Sequence, residues 1–227
     1  MVRIQNNVYF APDIRFSDLD WSDPYSLVDP FSERVHLYFF DPIIQLLRYY
    51  ELSEFVLQND ELLEIMQKNN RNNDNLLQSS YGVAFSVGLL CSTAIDFFSA
   101  IEFYPSQSVG TRYEDWLLNR IPILDQADPN NPGQTLAKRF YKDFRNGLVH
   151  EGRIKNAGQF TFQDGLFTDD QLFNIVEGAM VINPVILFNL VTDAFDEYRS
   201  EVVSSEFNAQ KFRCALTGFF SEDVAYA

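Results

Sequence analysis

The segment Arg145-Asn146-Gly147-Leu148-Val149-His150, continuing as Glu151-Gly152-Arg153, brings together two groups suited to phosphodiester chemistry. His150 is one of only two histidines in 227 residues. Imidazole ionises nearest neutrality among the side chains, so it can take a proton and return it at working pH. Arg145 carries a guanidinium whose planar fork matches phosphate oxygens. The pair points to cleavage of a phosphodiester without a metal. Residues 138–155 hold Lys138, Arg139, Lys142, Arg145, Arg153 and Lys155 against Asp143 and Glu151, a local +4 on a chain of net charge −15. Such an acidic chain is a poor general binder of nucleic acid. A focused basic patch on it can still hold RNA locally or dock a charged protein, with Lys138, Arg139, Lys142, Arg153 and Lys155 as the contacting cations. A charge run is also what a solvated helix face looks like.

The motif resembles the Arg-x4–6-His signature of the HEPN superfamily, in which a polar residue, here Asn146, often follows the arginine. Four residues separate Arg145 from His150, the short end of that spacing. The wider context Phe140–Gly152 adds to the likeness, because the motif closes an amphipathic helix as it does in HEPN proteins. The resemblance extends over roughly residues 75–205, and residues 1–37 have no counterpart in it.

Many HEPN members are small all-helical ribonucleases of toxin–antitoxin, phage-exclusion and CRISPR systems, and others are non-catalytic. The resemblance implies a HEPN-like bundle of four or more helices. It implies His150 as general base or acid around a ribose 2′-hydroxyl, Arg145 as the neutraliser of charge on the scissile phosphate, and Asn146 as an orienting group. It implies RNA as substrate, a 2′,3′-cyclic phosphate and a 5′-hydroxyl as products, and no metal or cofactor. One histidine is thin for acid–base work, and the family habit of facing two such pairs across a homodimer cleft answers that. An antitoxin protein is a further possible partner. The alternative is a non-catalytic dimeric module that docks a protein or a nucleotide; a third reading makes the motif a coincidence in a structural helical protein.

Composition fits a folded chain. Hydrophobic residues make up 46%, and 22 phenylalanines with 11 tyrosines predict an aromatic-rich core or interface. Cys91 and Cys214 are too far apart in sequence for a disulfide framework or a metal cluster, which favours a reducing cytoplasm. The first seven residues have no apolar leader core. Ser86, Gly88, Ser92, Thr93 and Asp96 interrupt Tyr81–Ala100, so no run reads as a membrane span.

The elements that must position the motif follow from periodicity. Residues 1–40 read as an irregular, proline-interrupted arm with one short strand near Val8–Phe10, and residues 41–227 as a single helical domain. Asp41-Pro42 has the form of a helix start, running to about Leu57. A second helix is expected over Glu61–Lys68, and 69–75 as a loop. Residues 76–103 form a long helix apolar on most sides, with Gly82, Gly88 and Ala94 allowing close approach. Thr111–Leu118 begins another with a capping-box spacing, Asp128–Gly133 is a loop, and Gln134–Val149 is the motif helix. Gln159–Phe162, Phe173–Val176 and Ala179–Ile182 then read as two or three short strands, with a turn at Glu177-Gly178 in a small β-hairpin. Asn183-Pro184 opens a helix to about Tyr198 or Glu201, and Phe207–Phe219 is the last.

At about 100° per residue, Leu136, Ala137, Phe140, Tyr141, Phe144, Gly147 and Leu148 share one arc of the motif helix. Arg139, Lys142, Asp143, Arg145, Asn146, Val149 and His150 fill the other, which predicts a solvent-facing motif with Gly152 as C-cap. Asp96, in an apolar stretch, needs a cation and could orient the site through Arg145, Arg139 or Lys142. His36 reads as a surface or partly packed residue. Rival signatures are absent from the sequence: there is no HExxH, CxxC or GxxxxGK[ST]. Glu61, Glu64, Glu114 and Asp115 lack a histidine at the spacing of a helical di-metal site.

Overall fold

The computed structural model describes residues 9–58, 73–105, 108–163, 165–168 and 170–224. The chain is mainly α-helical with small sheets, in line with the periodicity. The expected helix at Glu61–Lys68 lies outside the described residues.

Residues 9–40 are more regular than expected. β1 (Tyr9–Ala11) pairs antiparallel with β2 (Ile14–Arg15), and α1 (Val28–Val35) follows. A π-helical turn, His36–Phe40, joins α1 to α2 (Asp41–Leu57). α2 thus spans Asp41–Leu57 as expected, but Asp41 is no free N-cap, because the chain is already helical before it. Pro42 has no N–H to give and its ring crowds the preceding turn. The wider turn accommodates this, with the Asp41 N–H reaching back to the His36 carbonyl. His36 is half exposed, 3.9 Å from the Asp41 carboxylate and edge-on to Phe40, as a partly packed surface histidine.

Then come α3 (Asn73–Glu102), α4 (Val109–Arg120), the hairpin β3 (Ala127–Asp128) with β4 (Asn131–Thr135), and α5 (Leu136–Phe140). A second π turn, Tyr141–Arg145, leads into α6 (Asn146–Glu151). After it lie β5 (Gln159–Phe160), β6 (Phe173–Val176), β7 (Ala179–Ile182), α7 (Pro184–Ser204), α8 (Glu206–Phe219) and α9 (Ser221–Val224). The loop expected at Asp128–Gly133 is in fact a hairpin. The cap of α4 is Ser108, whose hydroxyl accepts the Thr111 N–H, in place of the Thr111 box. Asn183 caps α7 through Val185 and Ile186.

By length and composition alone, Tyr81–Glu102 is long and apolar enough to cross a membrane, with a mean hydropathy of 1.7. This corrects the expectation drawn from its polar interruptions. Of that stretch, 61% is buried inside the protein, as in a core helix.

The chain divides into two compact units, one of residues 1–41, 94–125 and 191–227, the other of 42–93 and 126–190. The first is organised by aromatic rings. Phe31 meets Phe97, Phe195 and Phe212 at 5.2–5.9 Å, and Phe98 stacks on Phe195 at 5.3 Å. Arg120, only 8% exposed, is held by Glu102 at 2.8 Å, Glu201 at 2.6 Å and Glu197 at 3.2 Å, joining α3, α4 and α7. The hydrogen bond from Arg120 is the main reason the Glu201 carboxyl titrates below its ordinary value, against the opposing effect of its burial.

The second unit holds the motif. Phe140 stacks on Phe144 at 4.9 Å, and Phe144 packs on Phe160 at 5.0 Å. A Cβ on Gly88 would stand 2.2 Å from the Phe160 ring, so the glycine in α3 admits the first strand of the sheet. That sheet has the order β5-β7-β6, with β5 parallel and β6 antiparallel to β7. The β6–β7 turn has Glu177 and Gly178 both at positive φ, 50° and 82°, the two-residue hairpin geometry the sequence predicts.

Candidate functional site

Thr135 caps the motif run, its hydroxyl accepting the Lys138 N–H at 3.1 Å. Gly152, at φ 65°, closes the run as expected. Its N–H reaches Leu148 and that of Arg153 reaches Gly147, which satisfies the last carbonyls. Gly147 has a second task. The returning chain lies against it so closely that a Cβ there would sit 2.3 Å from the Arg153 carbonyl oxygen. The Lys155 N–H then donates to the Asp143 carbonyl at 2.8 Å.

Of the apolar arc, Leu136, Ala137, Phe140, Phe144, Gly147 and Leu148 are buried as the count at 3.6 residues per turn requires, and Tyr141 is half-buried. The polar arc splits. Lys138, Lys142, Val149 and His150 are exposed and Asn146 is half-buried. Arg139, Asp143 and Arg145 are buried, which corrects the solvent-facing expectation for these three. Two causes act. The π turn at Tyr141–Arg145 widens one turn, which shifts Arg145 at its end from the α-helical count. The flanking hairpin and loop also cover what an isolated helix would show to water.

The covering groups explain Arg139. Its guanidinium pairs with Asp128 on β3 at 3.0 Å and with Asp143 at 3.3 Å, and donates to the Gly178 carbonyl at 2.6 Å. Asp128 also accepts from Gln134 Nε2 and the Asn130 N–H, each at 3.0 Å. Burial pushes the Asp128 carboxyl up, but these hydrogen bonds and the Arg139 charge outweigh it and hold it below the ordinary range. Asn156 donates to Asp143 at 2.7 Å from a left-handed backbone, φ 52°, a conformation asparagine tolerates. Asn130 ties the same Gly178 carbonyl at 2.6 Å.

Arg145 Nη1 donates to Asn146 Oδ1 at 3.2 Å, and its guanidinium lies 5.9 Å from the centre of the Tyr141 ring. His150 lies in the last turn of α6, four residues beyond Asn146, and makes no side-chain hydrogen bond or ion pair among the described residues. Lys142 donates to Gln134 Oε1 at 3.0 Å. Arg153 and Lys155 both pair with Glu151, at 2.8 and 2.6 Å, so two cations of the basic window share one carboxylate. The Lys155 hydrogen bond is the largest influence lowering the Glu151 carboxyl.

Asp96 has its cation, but on another helix than expected: Arg112 of α4 stands 3.4 Å away. Both lie in the first unit, while the motif lies in the second. The residues the sequence reading missed are those around Arg139. Asp128, Asn130, Asn131 and Gln134 form a dense polar run that the turn-like composition disguised as a loop. Among the described residues no group of three or more His, Cys, Asp or Glu is placed to hold a metal ion.

Comparison with family models, with curated proteins and with solved structures finds no match to this chain.

Proposed function

We propose that this protein is a metal-independent endoribonuclease of the HEPN type, acting in the cytoplasm in a toxin–antitoxin or anti-phage setting. The observation that carries this is local: Arg145 bonded to Asn146 at 3.2 Å, with the exposed imidazole of His150 four residues further along the same helix. In the reaction, His150 takes the proton of a ribose 2′-hydroxyl. The 2′-oxygen attacks phosphorus, and the 5′-oxygen leaves with a proton, giving a 2′,3′-cyclic phosphate and a 5′-hydroxyl. Arg145 stabilises the charge that builds on the phosphoryl oxygens, more strongly from a buried position than from water. Asn146 fixes the guanidinium. The leaving-group proton needs a second acid. A second copy of the chain supplies it when two α6 helices face each other, and Val149, 53% exposed beside His150, gives that face apolar surface to cover.

The burial of Arg145, 9% exposed, favours a second reading, a non-catalytic module whose surface docks a protein or a nucleotide. Incubation of defined RNA with purified protein in EDTA separates the two. Cleavage that persists in chelator, spares 2′-deoxy substrates and is lost in His150→Ala supports the ribonuclease. Intact RNA with both proteins leaves the docking module.

A further inference from the structure

A cleft of about 440 Å³ lies within the second unit, lined by Asp128, Asn130, Asn131, Gln134, Lys142 and Asn156, with Arg139 and Asp143 beneath. Its size falls in the range of small-molecule sites, roughly 300–1,000 Å³. Its chemistry is not that of a phosphate site. The one cation in its floor, Arg139, is already enclosed by two carboxylates at 3.0 and 3.3 Å, which an entering anion would meet. What the cleft offers is carboxamide. Four Asn and Gln side chains present planar donor and acceptor groups there. Their bonds to Asp128, Asp143, Gly178 and Lys142 hold three of them in place. Among the described residues the Asn131 side chain makes no hydrogen bond, and the Oδ1 atoms of Asn130 and Asn156 accept none.

The held acceptors of Asn130 and Asn156, beside the unbonded Asn131 carboxamide with its donor and acceptor both open, suit the edge of a nucleobase. Asn and Gln pair bidentately with adenine, and single-stranded RNA is read through unstacked bases bonded along their edges. The cleft and the motif share one helical run: Lys142 at the rim precedes Asn146 by four residues and His150 by eight. Eight residues of helix span about 12 Å, within the reach of a short oligonucleotide. We infer that this cleft takes an unstacked adenine of single-stranded RNA, flanking the phosphate held at Arg145 and His150. The inference rests on the ribonuclease reading for its substrate, but on the cleft alone for its base.

The test uses octamers of 2′-O-methyl A, C and U, in which the 2′-oxygen is blocked and nothing is consumed. Their binding to wild-type protein is followed by fluorescence anisotropy. The A octamer should bind about tenfold tighter than C or U. Asn131→Ala should remove most of that preference, and so should Asn131→Asp, which keeps the size and loses the donor. Equal binding of the three octamers, or an undiminished preference in both variants, overturns the inference. So does full competition by adenosine monophosphate at octamer concentrations, which would make the cleft a free-nucleotide site. Cleavage is scored separately on ordinary RNA in EDTA. An adenine preference without cleavage supports the cleft and removes the ribonuclease reading; cleavage at all bases alike does the reverse.

Discussion

His150 and Arg139 belong to one basic run and serve opposite ends. His150 is exposed and makes no polar contact among the described residues, so it has no packing duty. Its replacement by Ala should lower cleavage by about 100- to 10,000-fold in single-turnover assays and leave the unfolding midpoint nearly unchanged. Arg139 is 4% exposed between two carboxylates. Arg139→Met leaves Asp128 and Asp143 buried without their cation and should destabilise by about 3–5 kcal/mol in urea titrations. The same cluster sets an acid limit. The Asp128 carboxyl is held below its ordinary 3.8 in the folded state, so between the two values the unfolded chain binds more protons. Its contribution is therefore fully present above pH 3.8 and is lost as pH falls below that through the folded value. Chemical denaturation at pH 6 and pH 3 should show a drop that is smaller in Asp128→Asn.

At the scale of elements, the motif run is a helix reshaped by what surrounds it. Its N-cap at Thr135, its C-cap at Gly152 and its apolar stripe are local and follow from residue types. The π turn and the tight return of the chain over Gly147 are not. Gly147→Ala would place a methyl 2.3 Å from the Arg153 carbonyl, a backbone atom that cannot turn aside. Overpacking of that kind costs about 1–3 kcal/mol. Thermal unfolding by circular dichroism should show the loss, while Gly82→Ala, with nothing within 4 Å of the added carbon, should not. Gly147→Ala should also shift the register of α6 against the returning loop, and so reduce cleavage more than its stability cost accounts for.

At the scale of the whole molecule, the prediction is a homodimer formed through the face carrying Val149 and His150. A single chain supplies one imidazole at the motif, and a reaction that moves two protons is served by two. Light scattering at micromolar concentration should give twice the mass of 26.3 kDa, and specific activity should fall on dilution below the dissociation constant. A charged residue at the exposed position, Val149→Asp, should give monomers that have lost cleavage and kept their fold. A monomeric wild type with full activity would remove the composite site.

Much of this was legible in residue order, because helices, caps and short strands depend on contacts a few residues apart. The long helix ending at Glu102, the β6–β7 turn at Glu177-Gly178, the Asn183 cap and the Gly152 stop all followed from period and residue type. The sequence also singled out the Arg145–His150 segment and its unusual local charge. What it could not decide was which polar groups reach water. A helical count treats each face as if nothing stood against it, and it assumes one pitch throughout. Here Asp128 and Gly178, 11 residues before and 39 after Arg139, close over its guanidinium. A π turn shifts Arg145, at its end, from that count. Asp96 found its cation on α4 for the same reason: a half-buried charge takes the partner that tertiary packing brings near. Local order was set by the neighbours along the chain; exposure, pairing and the polar cleft were set by residues that only folding brings together.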